Sequence, residues 1–219
     1  KTKIICTLGP ATDDPEVLKR IFLTGMDVAR LNFSHGTHEE HLERIECFKK
    51  IRAELKRPAA LLLDTKGPEI RLRTFKNGEI ELKEGDRFTL TTEEIEGDET
   101  RVGISYKGLV NDINRGDRIL IADGLIELRV NEVTAIDIIC EVINGGELSN
   151  RKGVNVPGVT VKLPFMSDID RKDLLFGIKH DFDYVALSFV RSSEDVKIIR
   201  NFLSENNGSF MKIISKIEN

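Results

Sequence analysis

The chain has 219 residues, 40% hydrophobic and 32% charged, enough for one large domain or two modest ones. No apolar run approaches the ~20 residues of a membrane span, and the N-terminus lacks the charged-then-apolar layout of a signal peptide, so a soluble cytoplasmic protein is expected. The 33 basic and 37 acidic residues, a net charge of -4, are spread evenly, which leaves no basic stripe for a nucleic-acid partner.

Taken in chain order, the first third alternates short apolar runs with amphipathic ones, the pattern of parallel strands joined by helices. "KIICTL" (Lys3 to Leu8) reads as the first strand, and a chain that begins "KTKII" without an initiator Met is expected to be trimmed. A helix follows, with Asp14 as N-cap, Pro15 in the first turn, Leu18, Ile21 and Phe22 on the apolar face and Gly25 as the stop. "VARLNF" is the second strand. Thr37 and Glu40 form a capping box for a second helix whose apolar stripe is Leu42, Ile45, Phe48, Ile51 and Leu55. "AALLLD" (Ala59 to Asp64) is the third strand, apolar throughout as a strand covered on both faces should be.

From about Lys66 to about Leu163 no helix is evident. Short alternating segments, "EIEL", "RILIA", "IELRV" and "IDIICEV", are separated by turn signals such as Asn77-Gly78, Arg115-Gly116-Asp117 and Asp123-Gly124, which predicts a compact antiparallel β-domain. The first rhythm then resumes with a helix over Asp170 to His180, the strand "YVALSF", a helix over Ser193 to Glu205 and a fifth, buried strand, "MKIISKI". The implied domain boundaries are 1–66 and 165–219 for the α/β part and 67–164 for the insertion. Cys6, Cys47 and Cys140 are odd in number, far apart and without C-x-x-C spacing, so free thiols are expected.

Chemistry in parallel α/β folds collects at the C-terminal ends of the strands. Those ends carry Arg30, Asn32 and Ser34; Asp64, Thr65 and Lys66; Ser188 and Arg191; and Lys216, Glu218 and Asn219. For any one of them a capping or solvent-facing role is the simpler account. Their repetition on four strands points to a site, and the spacing of Lys216 and Glu218 sets both on one side of a strand. A lysine beside a carboxylate suits an anion and a cation held together, as in phosphoryl transfer, with Glu218 a hard oxygen ligand for Mg²⁺ and Arg30 a planar fork for phosphate. The glycine-rich "KGVNVPG" matches neither a Walker A loop nor a dinucleotide fingerprint. A Schiff-base lyase using Lys216 and a ligand-binding piece without turnover remain as alternatives on the residues alone.

In order, "KIICTLGPAT", "MDVARLNFSHGTHEEH", "LLLDTKGPEIR", "KGVNVPG", "DFDYVALSFVR" and "IISKIEN" resemble the pyruvate kinase family along the whole chain. The resemblance implies a (β/α)8 TIM-type barrel, incomplete here after five strands, with an antiparallel β lid domain inserted after the third. It further implies transfer of a phosphoryl group from phosphoenolpyruvate to ADP, giving pyruvate and ATP, with Mg²⁺ and K⁺ as cofactors and a tetrameric parent. By the same resemblance Arg30 binds the substrate phosphate, Lys216 stabilises the moving phosphoryl group and Glu218 holds Mg²⁺. Asn32, Ser34, Asp64 and Thr65 hold K⁺, Asn32, Phe33, Ser34, His35 and Arg71 border the nucleotide, and Lys152 on the lid approaches its phosphates. The second Mg²⁺ carboxylate is implied to follow a sixth strand beyond Asn219, so this length of chain alone is expected to be inactive.

Overall fold

The computed structural model describes residues 2–218, which divide into two compact units. One runs to Pro68 and resumes at Phe165–Glu218; the other is Glu69–Pro164. In chain order the first unit begins with β1 (Ile5–Thr7), a 3-10 turn (Pro10–Thr12), α1 (Pro15–Thr24), β2 (Val28–Asn32), α2 (His38–Leu55) and β3 (Ala60–Asp64). Local chemistry sets the helix ends. Asp14 accepts the Glu16 amide at 2.9 Å, Pro15 occupies the first helical position, and Gly25 closes α1 at φ +115°, a conformation that a side chain would oppose. At α2, Thr37 Oγ1 accepts the Glu40 amide at 3.3 Å while Glu40 Oε2 accepts the Thr37 amide at 2.9 Å, which satisfies two orphan donors reciprocally.

The insertion follows as β4 (Ile70–Arg71), β5 (Glu79–Leu82), β6 (Arg87–Thr91), β7 (Arg101–Gly103), α3 (Leu109–Asp112), β8 (Arg118–Ile121), β9 (Ile126–Val133), β10 (Asp137–Asn144), β11 (Gly146–Ser149) and β12 (Gly153–Asn155). Seven of these strands form one sheet in the order β4-β12-β8-β9-β10-β6-β7, and β5 pairs with β11 in a separate ribbon. A bridge between Leu72, just past β4, and Ile104, just past β7, joins the two edges. Closure of this kind removes the exposed edges that favour aggregation. The inward residues of the alternation, among them Phe88, Leu90, Ile119, Ile121, Leu128 and Val130, make this unit's own core. Burial pushes the Cys140 thiol in that core up to about 12, and all three cysteines are free.

Two features here depart from the sequence reading. The β6–β7 pair is parallel, Thr89 opposite Arg101, because residues 92–100 cross over and bridge Phe75 through Gly97 instead of turning back as a hairpin. A single helical turn, α3, interrupts the strands; four residues carry too little periodicity to be seen in a sequence.

The first unit then resumes with α4 (Asp168–Lys179), β13 (Tyr184–Leu187), α5 (Ser193–Glu205) and β14 (Lys212–Ser215). Its parallel sheet has the order β1-β2-β3-β13-β14, and one core gathers Leu31, Leu61, Leu63, Val185 and Leu187 from the strands with Phe22, Phe48, Leu174 and Phe202 from the helices. Of the expected buried fifth strand, Met211 is 4% exposed and Ile213 packs against the core, whereas Ile214 is 40% and Ile217 72% exposed in this length of chain, where β14 pairs with β13 alone.

The apolar stripe of α2 also differs at its start. His41, not Leu42, is the buried residue preceding Ile45, Phe48 and Ile51. Its ring stacks on Phe33 with centroids 4.2 Å apart, and Nε2 lies 3.0 Å from the His35 carbonyl oxygen. Burial lowers the His41 imidazole below its ordinary value of 6.5, aided by Arg44 and His38 and opposed by the carbonyl contact. A lowered value means that the unfolded chain takes up the proton first. The stability contributed by neutral His41 is therefore complete above the unfolded value and lost as pH falls through the folded one. The urea unfolding midpoint is expected to drop between about pH 7 and pH 5, and His41→Leu to make that drop shallower. An identical pH slope in the variant would show that His41 is not responsible.

Candidate active site

The register of the parallel strands builds the rim of the first unit. Arg30 on β2 lies opposite Thr7 on β1, and Asn32 opposite Asp64 on β3, so the ends of three strands meet. Arg30 Nη1 donates to Thr7 Oγ1 at 2.7 Å, Nε donates to Asp64 Oδ2 at 2.7 Å, and Nη2 lies 2.5 Å from the same oxygen. The other carboxylate oxygen faces β14's extension, where Lys216 Nζ lies 2.9 Å from Asp64 Oδ1 as an ion pair without the alignment of a hydrogen bond. Asp64 is 2% exposed, whereas Arg30 and Lys216 keep 29% and 28% of their side chains open. One buried carboxylate thus holds two partly exposed cations at the strand ends, an arrangement fit to receive an anion.

Glu218 completes the rim. Lys216 Nζ is 3.4 Å from Glu218 Oε1, and the Phe189 amide donates to Oε2 at 3.1 Å. Both residues lie beyond Ser215, where β14 ends, so the expected strand to Ile217 is shorter, yet Lys216 and Glu218 still converge. The backbone of Lys216 is tied to the end of β13 and to the turn after it, its amide donating to the Leu187 carbonyl and its carbonyl accepting from the Val190 amide, each at 3.0 Å.

The remaining strand-end residues sort by environment. Asn32 Oδ1 accepts the Ser34 amide at 3.0 Å, and Thr65 is 4% exposed. Phe33 turns inward, 8% exposed and packed on His41, so its side chain is withdrawn from the rim. His35 is exposed. Arg191 points to the start of α5, its amide donating to Asp195 Oδ2 at 3.0 Å. Arg71 and Lys152 belong to the second unit, where β4 and β12 set them side by side. There Gly153 pairs with Arg71, the Leu72 amide donates to the Lys152 carbonyl at 2.9 Å, and Arg71 Nη1 donates to the Arg151 carbonyl at 2.7 Å. Glu69 holds the Arg71 guanidinium through both carboxylate oxygens, Nε at 2.6 Å from Oε2 and Nη2 at 2.6 Å from Oε1.

Thr7 and Phe189 escaped the sequence reading. Thr7 stands inside "ICTL" with nothing to mark it before strand register sets it against Arg30. Phe189 acts through its amide, which no side-chain pattern reports. Its φ of +56° is left-handed, an uncommon state for a bulky residue that must be held by its surroundings.

The donor set suits hard cations. Asn32, Ser34, Asp64 and Thr65 each carry a side-chain oxygen, and Thr65 a carbonyl oxygen as well, a set that fits a monovalent ion. Glu218 offers a carboxylate fit for Mg²⁺, an ion that takes one or two carboxylates and completes its shell with water and phosphate. Among the described residues no cluster of three His, Cys, Asp or Glu forms a dedicated metal cage.

A parallel α/β sheet with a β-domain inserted after its third strand, and with charged groups massed at the C-terminal strand ends, defines an incomplete TIM-type barrel domain with a β-rich insert. The family model of the pyruvate kinase barrel domain matches residues 1–219, and the chain belongs to the pyruvate kinase family. It is 53% identical over 219 residues to a pyruvate kinase of Clostridium perfringens, covering all of this chain and 46% of that protein. It is 48% identical to those of Sporosarcina psychrophila and Geobacillus stearothermophilus, covering 38% of each. The chain therefore spans less than half the length of these curated relatives.

Proposed function

We propose that the complete polypeptide carrying this chain is a pyruvate kinase, transferring the phosphoryl group of phosphoenolpyruvate to ADP to give pyruvate and ATP in cytoplasmic glycolysis. The observation that supports it most directly is the Arg30–Asp64–Lys216 cluster, two cations gripped by one buried carboxylate and partly exposed at the strand ends.

In this reading Arg30 binds the phosphate of phosphoenolpyruvate and Lys216 meets the negative charge that develops on the phosphoryl oxygens during transfer. The bond from phosphorus to the enol oxygen breaks as a bond to the terminal phosphate oxygen of ADP forms. The electron pair is left on the enolate, which then takes a proton at carbon. Asp64 lies between the two cations, offsets their mutual repulsion and holds both in place before substrate arrives. Glu218, aimed by the Phe189 amide, would hold Mg²⁺, and Asn32, Ser34, Asp64 and Thr65 would hold K⁺. Bound there, the two ions supply positive charge opposite the phosphoryl oxygens and the enolate. Asn32, Ser34, His35, Arg71 and Lys152 are assigned to the nucleotide; Phe33 contributes backbone only. The 219-residue chain by itself is assigned no appreciable activity.

An assay coupling pyruvate formation to lactate dehydrogenase tests the reading with phosphoenolpyruvate, ADP, Mg²⁺ and K⁺. No pyruvate-dependent signal from the complete polypeptide would overturn it. Removal of K⁺ and Na⁺ from the buffer is expected to lower turnover by about a hundredfold, the scale of losing one preorganised charge at the reacting centre. Full turnover without either ion would remove K⁺ from the proposal.

A further inference from the structure

We propose that Ser188 is a positioning residue that presents Thr65 to the monovalent cation, an inference that rests on the reading of Thr65 as a K⁺ ligand. Ser188 follows the last residue of β13 and is 4% exposed, and Thr65, one residue past β3, is equally buried. Ladder pairing of these two strands runs through Ala186 opposite Asp64, and the Thr65 amide still donates to the Ala186 carbonyl at 3.0 Å. Beyond that point the side chain of Ser188 takes over. Its Oγ donates to the Thr65 carbonyl at 2.5 Å, while its amide donates to Thr65 Oγ1 at 3.3 Å.

Both oxygens of Thr65 are thereby oriented by one residue. A carbonyl has two lone pairs and a hydroxyl oxygen two, so each retains acceptor capacity for a cation after the Ser188 contact. A neutral oxygen ligand serves a large, weakly held ion only if its direction is already set, since ordering it on binding would subtract from affinity.

Three features fix Ser188 itself. Gly67, at φ +69°, lies so close that a Cβ built there would come within 2.8 Å of the Ser188 carbonyl oxygen and 2.9 Å of its Cβ, so only glycine lets the two segments meet. Phe189, the next residue, is held left-handed, with its amide on Glu218. Val190 then donates to the Lys216 carbonyl. The turn at 188–190 is therefore anchored at β3 through Ser188 and at the extension of β14 through its two following amides. A serine placed merely to satisfy a buried carbonyl would contribute to stability alone; a serine that aims Thr65 must also show in the cation dependence.

Ser188→Ala in the complete polypeptide separates the two. The expected result is about a tenfold increase in the K⁺ concentration for half-maximal turnover, the scale of one buried hydrogen bond, with turnover at saturating K⁺ restored to within about threefold of wild type. Thallous ion, a K⁺ substitute followed by ²⁰⁵Tl NMR without any substrate, should bind more weakly by a similar factor. Ser188→Thr, which keeps the hydroxyl, should retain Tl⁺ affinity whatever it loses in unfolding midpoint. If Ser188→Ala does not fold, Ser188→Cys replaces the strong donor by a weak one and carries the same expectation. Unchanged K⁺ and Tl⁺ dependence, or a loss of turnover that saturating K⁺ does not restore, overturns the proposal. Failure of the functional reading looks different: the wild type would then form no pyruvate, and absence of Tl⁺ binding to the wild type would remove the cation site and this inference together.

Discussion

Lys216→Met in the complete polypeptide is expected to lower turnover by two to three decades, about 3 to 4 kcal/mol, with the unfolding midpoint little changed. The side chain removed is 28% exposed and ion-paired to Asp64 at 2.9 Å and Glu218 at 3.4 Å, so its loss leaves Asp64 with Arg30 and Glu218 with the Phe189 amide. Methionine preserves most of the volume of the stem and none of the charge. If Lys216 acts on the moving phosphoryl group, kcat and kcat/KM for phosphoenolpyruvate fall together; if it served ground-state binding alone, KM would rise with kcat unchanged. Turnover near that of the wild type would exclude the assigned role, and a parallel loss of stability would assign the effect to folding.

The 219-residue chain, purified alone, is expected to turn over at least about a hundredfold more slowly than the complete polypeptide. Of the rim carboxylates, Asp64 lies between Arg30 and Lys216 and is assigned to K⁺, which leaves Glu218 as the carboxylate for Mg²⁺. Weaker metal binding and a lost bridge to phosphate follow. Lys216 and Glu218 also sit just past an edge strand whose neighbours Ile214 and Ile217 face solvent, and a displacement of about 1 Å at such a group costs on the order of a hundredfold in rate. A folded spectrum would not contradict this expectation, because the second unit has its own closed core. The comparison is a coupled assay of both proteins at equal molar concentration. Turnover by the short chain within about tenfold of the complete polypeptide, abolished by Lys216→Met, would show that the essential residues have been misplaced.

Much of the fold was written in local patterns. The caps at Asp14 and Thr37, the glycine stop at Gly25, the helix Ser193–Glu205, the strand Glu79–Leu82 and the turn signals of the insertion each depend on residues a few positions apart. Backbone sterics and hydrogen bonding at that range are the same wherever the segment is placed. The polar residues at four strand ends were legible because each apolar run breaks off in polar residues, and the motifs that resemble the pyruvate kinase family lie on those ends; that Asp64, Thr65 and Ser188 are buried there was not legible. What tertiary structure alone decided is which distant groups meet. Strand register brought Asp64 between Arg30 and Lys216, and it set Thr7 against Arg30. The end of the β3–β13 ladder set Ser188 on Thr65. His41 displaced Leu42 from the buried stripe because Phe33 offers a ring to stack on and His35 a carbonyl oxygen to contact, neither visible from helical periodicity. Side-chain spacing specifies a face, but the partner across that face is chosen by register and packing over the whole domain.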